Sequence, residues 1–349
     1  MAAIITDQLR ILNTKDFVAS VASTTNSFYT WIGLPNATQV DSDWNTTPPD
    51  PRDSFNQENE YWDTMIALKK VDTTDVKQVV KKNTWASGIT YDMYRNDIQA
   101  ENPSKPSNAI TLYAANYFVV NEDYKVYICL QNGTDPDNPE GKASLDQPTF
   151  TDLEPRAAGS SGDGYIWKYL YTVTPSDIIK FDSTDYISLP ANWATSTDAQ
   201  VTSVRNNGDS DINENQIKHV YIHAQGTGYS TGSWELNILG DGSGGRVVVD
   251  VNSSGNITNA VVSAGGKGYS FASVDLGPIR PTGVGNANAN LIPIIPPAKG
   301  HGNDVYTELG ADKILVYARF DDSTRDFPTD TLSLIHISEP TRQAEIAYA

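Results

Sequence analysis

His219 and His223 stand at i and i+4 in HVYIH, a spacing that on a helix would set two imidazoles on one face as zinc ligands. The zinc-peptidase pattern needs Glu directly after the first His, and Val220 is there instead. On a strand the two share a face with Tyr221, and no third ligand follows. His301 and His336 complete the histidines. DSDINEN, Asp209–Asn215, alternates oxygen-bearing side chains as a calcium loop does. Such a loop needs Gly at its sixth position and Glu at its twelfth, and Glu214 and Val220 occupy them. GDGSGG does not lead from a strand into a helix, so it is no phosphate cradle, and no Gly-x-Ser-x-Gly elbow occurs. Among 43 acidic residues some carboxylate pair always exists, so the sequence singles out none for glycoside cleavage. The expectation is a protein with no catalytic, cofactor-binding or metal-binding residues and no cofactor.

What remains is GDGYIWKYLYTV, Gly162–Val173. As a strand it sends Tyr165, Trp167, Tyr169 and Tyr171 to one side and Ile166, Lys168 and Leu170 to the other. Such rings either pack a sheet against its neighbour or anchor a protein–protein interface. These four residues are therefore the expected packing or assembly surface. Sugar stacking is a further use of rings, and the tyrosines of two Gly-Tyr turns, Tyr229 and Tyr269, are the candidates for it.

The elements that would position these residues are mostly strands. YKVYICL, YIWKYLYTV and ILVYARF alternate with period two, and loops rich in Gly, Pro and Asn separate them. Helical patterns are few. One runs near 14–23, with Thr14 as cap and Phe17, Val18 and Val21 as its stripe. A second runs over 54–68, with Ser54 and Gln57 as a capping pair and Tyr61, Met65 and Leu68 at helical spacing. The expected fold is mainly β (α+β), with layered antiparallel sandwich domains.

The texture changes near Ser196. HVYIHAQGTGYSTGSWEL matches NAVVSAGGKGYSFASVDL when His219 is set on Asn259, and each copy runs on into a Gly-rich turn and a strand. The expected organisation is a β-rich region over 1–195, an inserted Gly/Ser/Asn-rich module over 196–297 with copies near 219–251 and 259–292, and a return strand within 298–331.

The 349 residues carry 25 basic against 43 acidic side chains, a net charge of −18. A nucleic-acid binder needs the opposite field, so none is expected as partner. No run of apolar residues is long enough for a membrane span, and no export signal is legible. The single cysteine, Cys129, lies inside an alternating run and reads as a small strand residue.

GDGYIWKYLYTVTPSD, taken with YWDTM at Tyr61–Met65, KKNTW and DMYR, resembles the homodimeric baseplate wedge subunit of T-even-type contractile-tailed phages. SFYTWIG, the Pro-rich arm after it, YKVYICL and ILVYARF fall in the same order. The resemblance spans roughly 18–190 and 314–331, and an environmental or marine phage is a fitting source. It implies a non-enzymatic part of the virion tail baseplate, made in the host cytoplasm. Its partners would be a second copy of itself and other wedge proteins. The 196–297 module has no counterpart in that family. A carbohydrate-binding tail component, or a phage glycan hydrolase, is the alternative.

LSLIHISEPTR, Leu332–Arg342, fits the codons of a transposon-end adaptor used in sequencing libraries. Residues 332–349 are therefore expected not to be native, with the natural sequence departing near Thr331.

Overall fold

The computed structural model describes residues 6–33, 62, 65–280 and 288–321. Among the described residues strands make up 33% and helices 19%, so the fold is mainly β, with several antiparallel sheets and few short helices. Packing divides the chain into two units, one of Met1–Thr14 and Gln78–Lys313, the other of Lys15–Lys77 and Ile314–Ala349.

Helix α1 (Asp7–Ala22) starts earlier than the pattern near 14–23, because Thr6 sits at the cap and its Oγ1 accepts from the Leu9 N–H at 3.3 Å. Thr14 is interior to the helix and donates its hydroxyl to the Ile11 carbonyl at 2.8 Å. In the smaller unit Phe17, Val18 and Val21 pack with Phe28, Val71 and Val76, and the Phe17 and Phe28 rings lie 5.2 Å apart.

Strand β1 (Tyr29–Gly33) pairs antiparallel with β2 (Met65–Lys70), Tyr29 opposite Lys70 and Trp31 opposite Leu68. The helix expected over 54–68 is corrected at its end: Met65–Leu68 are strand. Pairing with β1 satisfies their backbone, and Ala67 is buried while Leu68 is exposed, a period of two. The rest of that expected helix, Trp62 apart, lies outside the described residues, as do residues 332–349 with His336.

In the larger unit β4 (Phe118–Val120), β5 (Lys125–Asn132) and β6 (Tyr165–Thr172) form an antiparallel sheet with β5 central. β5 and β6 are buried on both faces, which explains their nearly unbroken apolar runs. β3 (Val76–Lys81) pairs with β7 (Tyr186–Ser188) through Val79 opposite Ser188 and Val80 opposite Ile187. Between β6 and β7 lies α2 (Pro175–Phe181), capped by Thr174, which accepts from the Asp177 N–H.

The repeat becomes six strands: β8 (Val220–Ala224), β9 (Gly232–Gly240) and β10 (Ser243–Val251) from the first copy, then β11 (Ile257–Lys267), β12 (Ala272–Val274) and β13 (Asn290–Pro293) from the second. Their pairing is reciprocal. The first strand of each copy pairs with the third strand of the other (β8 with β13, β11 with β10), and the two middle strands, β9 and β12, pair together. Along β10, Val247, Val249 and Val251 turn inward while Arg246 is exposed. The two sheets close over a core of their own that runs from Ile217 to Ile295.

This core is narrower than the module expected over 196–297. Helix α3 (Ala199–Gly208) belongs to the parent fold, with Val204 fully buried in the main core. The chain enters the module through α3 and the short α4 (Ser210–Asn213) and returns beside them. Ser210 N–H donates to the Lys299 carbonyl at 2.8 Å, and Asn303 Nδ2 donates to Asp209 Oδ2 at 3.1 Å. Gly208 and Gly300 cross here so closely that a Cβ on Gly208 would collide with the His301 carbonyl. After the crossing, α5 (Val305–Leu309) packs into the main core and β14 (Lys313–Val316) follows.

Candidate functional site

All four rings of the aromatic strand are inside. Tyr165, Trp167, Tyr169 and Tyr171 expose 2% of their surface or less. Tyr165 stacks on Trp167 with centroids 5.3 Å apart, Tyr169 meets Tyr127 at 5.8 Å, and Tyr171 meets Trp193 at 6.4 Å. One register shift in the β5–β6 pairing falls on β6 itself, at Leu170 between Tyr169 and Tyr171, and the strand is buried on both faces there. The rings hold the fold, and none is open to a partner from within this chain's surface.

Tyr229 and Tyr269 are likewise only 4% exposed. Tyr269 Oη accepts from the Gly245 N–H at 3.0 Å and donates to the Ile238 carbonyl at 3.0 Å, while Tyr229 Oη accepts from the Ala289 N–H at 3.1 Å. The Gly-Tyr turns were expected to offer these rings to sugars; instead each Gly turn drives its Tyr into the module core, so neither ring stacks on a glycan.

The remaining sequence candidates are structural as well. DSDINEN forms α4 and its cap, Asp209 accepting from the Asp211 N–H. Among the described residues no group of three His, Cys, Asp or Glu side chains is placed to hold a metal. His219 Nε2 bonds Gln131 Oε1 at 2.7 Å, and burial pulls its pKa down to about 4. Tyr221 Oη donates to the Thr134 carbonyl at 2.8 Å, so the 2.7 Å contact with His223 Nδ1 must carry a proton from the imidazole. His301 Nδ1 bonds Glu308 Oε1 at 2.6 Å with both side chains fully buried. Cys129 is buried, and desolvation pushes its thiol well up, away from reactive thiolate.

Sequence reasoning missed a polar cluster at the root of the module. Lys168, on β6 between the rings, is completely buried. Its Nζ donates to the Leu153 carbonyl at 2.7 Å and to Asn207 Oδ1, on α3, at 3.1 Å. Asn207 Nδ2 donates to Glu154 Oε1 at 2.7 Å, and Lys218 Nζ reaches the same oxygen at 2.9 Å. Desolvation, then the neighbouring Lys218 charge, brings the Lys168 ammonium down to about 8. Burial pushes Glu154 up, but its bonds to Asn207 and Lys218 outweigh that and hold it below the usual range. The signal for this cluster was a lysine interrupting an apolar run in YIWKYL.

Among the described residues, two surfaces bear on function. A cleft of about 620 Å³ with a mixed polar and apolar lining lies between the parent sheet and the module, bordered among others by Thr134, Pro136, Ile222, Gln225, Asn256 and Thr258. The second is the β1–β2 ribbon, where Tyr29, Trp31, Ile32 and Leu68 are each more than a third exposed.

Neither a family model nor a curated protein sequence matches this chain. Among the described residues, no helix is long and apolar enough to cross a membrane.

Proposed function

We propose that this chain is a non-enzymatic wedge subunit of a contractile phage-tail baseplate, which dimerises and joins neighbouring wedge proteins by protein–protein contacts. The resemblance carried by GDGYIWKYLYTVTPSD and its companion segments motivates the reading. One structural observation supports it most: the β1–β2 ribbon lies within the span of that resemblance and exposes Tyr29, Trp31, Ile32 and Leu68. A two-stranded ribbon is marginal by itself, and exposed rings on such an element favour cover by another protein. The strong net acidity keeps free subunits apart until complementary surfaces meet. The test is a Tyr29→Ser, Ile32→Ser double variant: it should fold as the parent does but lose the complex with the neighbouring wedge protein. Undiminished complex would remove the ribbon from the account.

A second reading is supported by the cleft between parent sheet and module, where amides and hydroxyls beside apolar side chains suit a glycan. It excludes Tyr229 and Tyr269 as the contacts and predicts saturable glycan binding that an Asn256→Ala, Thr258→Ala variant loses.

A further inference from the structure

Lys168, Asn207 and Glu154 are arranged as the reactants and the proton relay of an amide transfer. We propose that Lys168 Nζ and Asn207 Cγ join in a spontaneous intramolecular isopeptide bond, with Glu154 as the acid–base group and ammonia as the leaving group.

The geometry carries the proposal. The Lys168 nitrogen lies 3.1 Å from Asn207 Oδ1, one bond from the carbon it attacks. On its other side the Leu153 carbonyl, at 2.7 Å, fixes its position. The amide orientation is set by its partners: Oδ1 faces the lysine donor, and Nδ2 faces the Glu154 carboxylate at 2.7 Å. Asn207 thus turns its carbonyl to the nucleophile and its future leaving group to the acid–base residue. Lys218 Nζ, bonded at 2.9 Å to the same Glu154 oxygen that accepts from Nδ2, fixes the carboxylate against the leaving group.

The step balances without oxidant or co-reactant. The neutral Lys168 amine attacks Cγ, forming the N–C bond as the carbonyl electron pair moves to Oδ1. Glu154 takes the proton that Nζ gives up and delivers it to Nδ2. The Oδ1 pair returns, the Cγ–Nδ2 bond breaks, and ammonia leaves. One amine and one carboxamide become a secondary amide, whose N–H can keep the bond to the Leu153 carbonyl.

The surroundings favour this chemistry. Burial of Lys168 gives the free amine a real population near neutral pH, against the opposing charges of Glu154 and Glu308. The amine is dry, whereas the Glu154 side chain is 61% exposed and offers protons and ammonia a way out. The bond would tie β6 to α3, so the parent sheet would be covalently fastened to the helix that leads into the module.

The test is the intact mass of the full chain, unfolded after purification, together with peptide mapping. The proposal predicts a mass below the sequence mass by one ammonia and a branched peptide joining the segments of residues 168 and 207. The fraction joined should rise with incubation at mildly alkaline pH. Glu154→Gln, which keeps a side-chain oxygen for Lys218 and Asn207 but cannot take up a proton, should fold and slow the joining on the order of a hundredfold. Asn207→Ala should abolish it. An unchanged mass after long incubation of the folded parent would overturn the proposal. So would loss of ammonia without a branched peptide, which would mark succinimide formation at an asparagine. Both readings come from the parent protein, so poor folding of a variant cannot hide the answer.

Discussion

Ile217 and Ile257 occupy matching places in the two halves of the module. Ile217 gives its backbone N–H to the Gly265 carbonyl at 3.1 Å, and Ile257 gives its own to the Gln225 carbonyl at 3.1 Å. Both side chains are completely buried. Each copy thus completes the other, as the reciprocal strand pairing also requires, and one copy by itself would leave unpaired strands and half a core. Deleting residues 257–295 should therefore not leave a folded half-module. Hydrogen exchange of the β8–β10 amides checks this, and retained protection would contradict the interlock.

The two matching tyrosines differ in consequence. Tyr269 Oη serves two backbone groups and Tyr229 Oη one. Tyr269→Phe leaves a buried donor and acceptor unsatisfied and should lose about 1–3 kcal/mol, more than Tyr229→Phe, in urea unfolding. Equal losses would show that the second bond contributes nothing.

Trp167→Ala removes a fully buried ring stacked on Tyr165 and should cost about 3–5 kcal/mol. Thermal unfolding measures it. A stable variant would mean that the aromatic strand is not what holds the sheet.

His219 makes stability depend on acid. Its folded pKa of about 4 lies below the ordinary 6.5, so the folded state holds it neutral while the unfolded state takes up a proton. Its contribution is complete above 6.5 and is lost as pH falls towards 4, up to about 3 kcal/mol. Urea midpoints at both ends of that window, for the parent and for His219→Gln, should show the variant losing less.

Much of the fold was legible in the sequence because its signals are local. Alternation marked the β-rich character, and the repeat of GTGYS and GKGYS marked the duplicated strands. The stripe of Phe17, Val18 and Val21 marked part of α1, although Thr6 and not Thr14 caps it. The site was less legible. Period two cannot tell a half-buried strand from one buried on both faces, so the pattern put Lys168 opposite the rings without revealing that this side too is enclosed. Met65–Leu68 fit a helix equally well until pairing with β1 decided the matter. Partners such as Asn207 and Glu154 meet only through tertiary packing, which spacing does not encode.

The proposed role is to hold other proteins, and the exposed β1–β2 ribbon is the observation behind that proposal. The most direct measurement is the solution mass of the chain by light scattering, with and without a neighbouring wedge protein. The account predicts a dimer that joins the neighbour in one discrete complex. A well-folded monomer that ignores the neighbour would contradict it.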